Sequence, residues 1–301
     1  MNGVLIIDKP AGLTSHDVVN RVRRILGQRS VGHLGTLDPL ATGVLPLVIG
    51  NLTRLAQFYT TSEKVYEGAI RFGFATDTYD ADGDPATAPE SVEVTLEQCR
   101  ELAARFQGII EQMPPPFSAK KIHGIPAYKL ARKHKEVPLT PVQVEIKEFE
   151  ILAVDRDGAT FRARVASGTY MRSVAHEMGQ KLGCGAHLAS LRRTALGEFD
   201  LAEAHSIDEV DSATKAQQLE NVFVHPRKLL PQFPSVTAND EMAARIRSGR
   251  TVNLPELSRA KQVKVFYGQR ELIAIATRVA GTLFHPKIVL ATTEPQLARK
   301  T

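Results

Sequence analysis

Three stretches of this chain alternate between apolar and polar or small residues, and that rhythm limits the fold more than any other feature. From Tyr66, residues Tyr66, Gly68, Ile70 and Phe72 fall on one side and Glu67, Ala69 and Arg71 on the other, the two-residue period of a half-buried strand. Val142, Val144 and Ile146 repeat the pattern, as do Phe161, Ala163 and Val165. Between these strands lie amphipathic stretches of helical period. Val18, Val19, Val22, Ile25 and Leu26 recur at helical spacing after the N-cap candidates Thr14 and Ser15, with Gly27 placed as a C-terminal glycine. Leu96 to Phe106 reads as a second helix, and Ser167-Gly168-Thr169 starts another that Gly183 closes. Strands and helices in this irregular order predict an α+β fold with a mixed, largely antiparallel sheet, not repeating βαβ units.

Proline-rich punctuation divides the chain. Met113-Pro114-Pro115-Pro116-Phe117 is a stiff connector, and a basic helix is predicted over Ala127 to Lys135. Past residue 200 the sequence turns polar, with a helix expected near Ala216–Val222 and breakers at Pro226, Pro231 and Pro234. A helix at Asn239–Ser248 and strands at Val263–Tyr267 and Leu272–Arg278 then form a small separate unit. The domains are therefore expected at 1–232 and 233–301. The turn-rich run Thr76 to Asp84 carries several carboxylates, but Pro85 stands where a calcium loop needs glycine and no matching glutamate follows, so it reads as a turn.

Composition excludes several classes of function. The apolar run at Val4–Ile7 is broken by Asp8 before it could form a signal-peptide core, and no stretch is long enough to span a bilayer. Cys99 and Cys184 lack CxxC spacing, the histidines form no HxxxH or HExxH pair, and neither GxxxxGK[ST] nor GxGxxG occurs. The expectation is a cytoplasmic protein without metal or cofactor. A net charge of +5 is mild, yet the basic residues cluster. Lys120, Lys121, Lys129, Arg132, Lys133 and Lys135 form one stripe, and Arg162, Arg164, Arg172, Lys181, Arg192 and Arg193 another. Each fits either a solvated face or contact with a polyanion.

The residue best placed for chemistry is Asp38, held between glycine-rich backbone and Pro39, where a large substrate could approach a loop apex. By itself Asp-Pro is an ordinary turn former. The whole string Gly32-His33-Leu34-Gly35-Thr36-Leu37-Asp38-Pro39-Leu40-Ala41-Thr42-Gly43-Val44-Leu45-Pro46, however, resembles the nucleophile signature of the TruB family of tRNA pseudouridine synthases. Lys9-Pro10-Ala11-Gly12-Leu13-Thr14-Ser15 is similar to that family's first motif, Tyr66 through Gly83 to its tyrosine strand and turn, and Ser167-Gly168-Thr169-Tyr170-Met171-Arg172 to its arginine motif. Leu182 to Leu188 and Leu191-Arg192-Arg193-Thr194 continue the likeness, which covers residues 3–200 in the family's order. The C-terminal unit is a weaker match to a PUA-like RNA-binding β-barrel.

The resemblance implies the pseudouridine synthase fold and isomerisation of uridine-55 in the T arm of tRNA by a monomeric enzyme. It implies Asp38 as nucleophile and Arg172 as the guanidinium that keeps it ionised, its fork able to bind both carboxylate oxygens. Tyr66 would stack on the target base, though it shares a strand face with Ile70 and Phe72 and fits an ordinary core as well. His33 would fill the space a flipped nucleotide vacates, or else satisfy loop backbone. Lys9 would support the strand or touch phosphate. Tyr170 and Leu191 complete the implied substrate-binding set, Leu191 as an apolar wall or a core leucine. Two other readings stay open: a tRNA-folding RNA chaperone, and a guide-RNA-dependent relative that needs partner proteins.

Overall fold

The computed structural model describes residues 1–117, 121–122, 125–126, 139–256 and 258–290. The predicted basic helix at 127–135, and with it most of the first basic stripe, lies outside the described residues. A nine-stranded sheet organises the larger part of the molecule. Its path runs β1 (Gly3–Lys9), β3 (Thr42–Ile49), β10 (Ala186–Leu196), β4 (Lys64–Phe72), β9 (Gly158–Val165), β8 (Val142–Asp155) and β5 (Gly108–Gln112). Two short strands hang off that path, β2 (Val31–His33) on β3 and β11 (Phe199–Asp200) on β10, and a separate pair joins β6 (Lys121–Ile122) to β7 (Ile125–Pro126). Within the nine-stranded sheet the described strand pairs are antiparallel except β3 with β10, as the alternating strands predict.

That parallel pair builds the site. On β10, Arg193 faces Gly43 of β3 on one side and Tyr66 of β4 on the other, so the sheet brings the loop ahead of β3 beside the tyrosine strand. The approach is close. Gly43 has φ +96°, and a Cβ there would lie 2.2 Å from the Arg193 carbonyl oxygen, so only glycine fits.

Helices cover the face that carries Tyr66, Ile70 and Phe72. Helix α1 (Ser15–Leu26) begins with a Thr14/Asp17 capping box and ends at Gly27, whose φ of 59° is left-handed. It buries Val18, Val19 and Val22 in the main core with Leu45, Ile70 and Phe161. Helix α2 (Leu96–Ala104) contributes Cys99, Leu102 and Ala103, and α3 (Met171–Leu182) contributes Met171, Val174, Ala175 and Met178. No side chain caps the start of α3. The buried amide of Gln112 on β5 serves instead, accepting from the Tyr170 amide at 2.8 Å and donating to the Tyr170 carbonyl at 3.1 Å.

The helix expected near Ala216–Val222 is displaced. Helix α4 occupies Ile207–Lys215, begun by a Ser206/Glu209 capping box, and the chain leaves it through Gln217 at φ +57°. Reciprocal capping at Ser206 satisfies two amide donors, and the left-handed residue stops propagation before 218.

The C-terminal five-stranded sheet has the order β12 (Ser235–Ala238), β14 (Gln262–Tyr267), β15 (Glu271–Ala280), β16 (Leu283–Val289) and β13 (Val252–Asn253), with α5 (Asp240–Arg247) against it. The sheet is curled, as in a PUA-like unit. It has its own small core but shares another with the large sheet, where Phe266, Ile275, Ile288 and Leu290 meet Val4, Leu52 and Leu55. The Asn2 side-chain amide seals that contact by donating to the Leu290 carbonyl at 3.1 Å. No helix of the described residues is long and apolar enough to cross a membrane.

Candidate active site

The loop from Leu34 to Ala41 is bolted down at three points. Ser15 at the start of α1 accepts from the Leu37 amide at 2.8 Å and donates to the Leu37 carbonyl at 3.1 Å. Arg193 is fully buried, and its guanidinium donates to the carbonyls of Val44 (2.7 Å), Gly35 (3.0 Å) and Thr36 (3.3 Å). Lys9, also fully buried, donates to the carbonyls of Leu13 (2.6 Å), Pro10 (2.9 Å) and Pro39 (3.2 Å). Three carbonyls saturate an ammonium. Lys9 thus spends its donors on backbone, as the structural reading of it expects, and one of them fixes the residue after Asp38. Burial draws its pKa down from 10.5 to about 8, with Arg193 acting in the same sense and Asp38 opposing.

Between these bolts the Asp38 side chain remains 40% exposed, while its partner Arg172, in the first turn of α3, is 6% exposed. Arg172 Nη2 stands 3.0 Å from Asp38 Oδ2. The expected embrace of both Asp38 oxygens is absent, because the guanidinium is shared. Its Nη1 lies 3.5 Å from Oδ2 of Asp80, a second carboxylate that is itself only 6% exposed. Two backbone carbonyls also accept from it, Nη1 donating to Thr78 at 3.1 Å and Nη2 to Phe117 at 2.9 Å, while the buried Nε has no partner among the described residues. Asp80 is held in turn by the Thr78 hydroxyl at 2.6 Å and the Asp82 amide at 3.1 Å. The acidic turn thus folds inward onto Arg172.

This sharing changes the electrostatics that the sequence suggested. Burial pushes the Asp38 carboxyl above the ordinary aspartate value, and Asp80 adds to the rise, while Arg172 and Lys9 pull it down. Arg172 therefore aims the carboxylate and offsets part of a desolvation cost, without setting its charge alone.

A cavity of about 410 Å³ opens at Asp38. Six of the seven predicted site residues line it: His33, Asp38, Tyr66, Tyr170, Arg172 and Leu191. Tyr66 is 7% exposed, belonging to the main core on one side and walling the cavity on the other. His33 is half-buried, and its Nδ1 has no hydrogen-bond partner among the described residues, so it is not satisfying loop backbone through that atom. Burial lowers its pKa, favouring the neutral ring. Leu191 is partly buried against the core and presents an apolar wall.

Asp80, Arg193, Gln112 and Lys64, the last a cavity-lining residue at the start of β4, escaped sequence reasoning. One signal was present for Asp80. A carboxylate-rich turn unfit for calcium still needs a cation, and Arg172 was already singled out. The second basic stripe is not one surface: Arg172 and Arg193 are buried and Arg192 pairs with Asp8 at 2.7 Å, while Arg162, Arg164 and Lys181 are exposed, Arg164 lying 3.7 Å from Glu148.

Comparison with known proteins matches this arrangement. The model of the "TruB family pseudouridylate synthase (N terminal domain)" matches residues 23–171, and that of the "tRNA pseudouridylate synthase B C-terminal domain" matches residues 172–230. The tRNA pseudouridine synthase B of Solibacter usitatus is 50% identical over 293 residues, covering 96% of this chain and 100% of that protein. That of Aquifex aeolicus is 39% identical over 293 residues, with 96% and 100% covered. Among solved structures, a Cbf5-Nop10-Gar1 complex superimposes with a TM-score of 0.70 at 25% identity, over 96% of this chain and 85% of that one. The first family model takes in the Asp38 loop and the Tyr66 strand, the second begins at Arg172, and these relatives match almost from end to end: this chain belongs to the TruB family of pseudouridylate synthases.

Proposed function

We propose that this chain converts uridine-55 in the T arm of tRNA to pseudouridine, with Asp38 as nucleophile. The observation that carries the reading is a half-exposed carboxylate, aimed by a buried arginine, at the mouth of a cavity walled by Tyr66 and Leu191. Family membership and the names of relatives up to 50% identical support tRNA as the substrate.

The chemistry asks for such a group. The N1–C1′ bond breaks, the base turns, C5 joins C1′, C5 loses its hydrogen and N1 gains one, so no atoms enter or leave overall. An ionised carboxylate serves by attacking C1′ or by adding to C6 of the ring. A uridine stacked in a folded loop must first be flipped out. Tyr66 then stacks on the base, Leu191 closes its apolar side, Tyr170 lines its entry, and His33 fills the vacated space in the RNA. Residues 233–301 act as an RNA-binding unit beside the catalytic unit of 1–232, and the chain works as a monomer in the cytoplasm.

The test is to incubate the purified chain, with nothing added, with an unmodified tRNA transcript and to map new pseudouridine. Product at position 55 is the expected result. Refolding of tRNA without product would favour an RNA chaperone. Product only after a guide RNA and partner proteins are supplied would favour a guide-dependent enzyme.

A further inference from the structure

We propose that Lys64 is a binding site for a backbone phosphate of the RNA, seated in the same cavity as Asp38. The inference rests on the reading of the substrate as RNA. Its own support comes from position, from valence and from charge.

Lys64 opens β4 two residues before Tyr66, and both line the cavity. Two residues along a strand span about 7 Å and return to the same face. That separation is comparable with the reach from a base across its sugar to its phosphate. A base stacked on Tyr66 would thus bring a phosphate within range of the residue two positions earlier.

The ammonium is also incompletely used. Nζ donates to the Ser62 carbonyl at 2.8 Å, which leaves two donors, and no carboxylate pairs with it among the described residues. The nearby acids are engaged elsewhere: Glu63 pairs with Lys147, and Glu198 accepts from the Tyr59 hydroxyl at 2.7 Å and the Leu230 amide at 2.9 Å. The charge acting most directly on Lys64 is a second cation. Beside Gly35, the Lys64 Cε and Arg193 Nη1 lie 3.7 and 3.5 Å from a common point, the site of an added Cβ. Among the described residues Arg193 is itself bonded only to carbonyls. Burial and Arg193 together lower the Lys64 pKa to about 8. Two neighbouring cations without an anion cost stability, and a phosphodiester entering the cavity would neutralise that cost.

Lys64→Met and Lys64→Arg, compared with the wild-type chain on a tRNA transcript, test the idea through Kd, KM, kcat and their dependence on salt and pH. Removing the charge should raise Kd and KM about tenfold, with a smaller effect on kcat, and should reduce the slope of log Kd against log salt by roughly 0.9. Wild-type affinity should fall as pH rises through about 8, where Lys64 loses its proton in the free protein. The Lys64→Arg chain should bind with a flatter profile, because arginine keeps its charge. A neutral methylphosphonate at the linkage of the target nucleotide should weaken wild-type binding and add little to the loss in Lys64→Met. Unchanged Kd and salt slope in Lys64→Met, or equal pH profiles in wild type and Lys64→Arg, would overturn the proposal. Binding of tRNA without product in wild type would count against the assigned reaction and leave the Lys64 comparison readable in Kd; failure of wild type to bind tRNA would sink both.

Discussion

Two sets of charges surround the Asp38 loop, and they are neutralised in opposite ways. Asp38 and Asp80 share one buried guanidinium, so each carboxylate is oriented by a formal charge. Lys9, Lys64 and Arg193 instead donate to backbone carbonyls. The first arrangement aims a reactive group at a point in space. The second binds the loop together while leaving positive potential for a polyanion. The contrast separates residues expected to affect the chemical step from those expected to affect stability or RNA affinity.

The largest effect should come from the carboxylate set. Asp38→Asn is expected to lower pseudouridine formation by at least about 10⁴-fold, with tRNA affinity changed only a few-fold. Filter binding and product mapping on the same preparation check both halves, and robust turnover would remove Asp38 from the chemistry. Arg172→Lys should cost about 10²- to 10³-fold in rate, because a point charge cannot span Asp38 and Asp80 while also reaching the carbonyls of Thr78 and Phe117. Near-normal rates would mean that a single ion pair is enough.

Asp80→Asn sharpens the comparison with two readouts. The rate should drop roughly tenfold as the guanidinium loses its second anchor. The acid limb of the pH–rate profile should also move to lower pH, because Asp80 is one of the groups that raises the Asp38 pKa. A limb that stays in place would show that the two carboxylates do not sense each other.

Lys9→Met should act on folding instead. It strips donors from three partly buried carbonyls and leaves a neutral chain in the Lys9 cavity, and a loss of about 2–4 kcal/mol is expected in denaturant titrations. The sign of its pH dependence follows from the depressed pKa. The folded chain releases the Lys9 proton near 8 while an unfolded one holds it to 10.5, so the advantage of wild type over Lys9→Met should grow as pH rises between those values. A normal stability with a lost catalytic rate would reassign Lys9 to the chemistry.

What the sequence disclosed, and what it hid, follows the range of the interactions. Local patterns were readable: the alternation in β4, β8 and β9, the glycine stops at Gly27 and Gly183, and the Asp38 string with its family likeness. The helix at Ile207–Lys215 was missed although its Ser206/Glu209 box is local, because the polar composition around it masked the start signal. Arg193 and Asp80 were hidden for another reason. A buried charge and a solvated one look alike until a distant partner is known, and the partners of Arg193 lie about 150 residues away, at Val44, Thr36 and Gly35. The same blindness left the two readings of Lys9 undecided and gave Arg172 a single acidic partner.

The apolar seam between the two sheets also constrains how the protein is made. Val4, Leu52 and Leu55 emerge early in translation, whereas Ile288 and Leu290, which cover them, come far later; Asn2 waits 288 residues for its acceptor. Until β15 and β16 have been made, that flank of the large sheet is an uncovered apolar surface on the nascent chain.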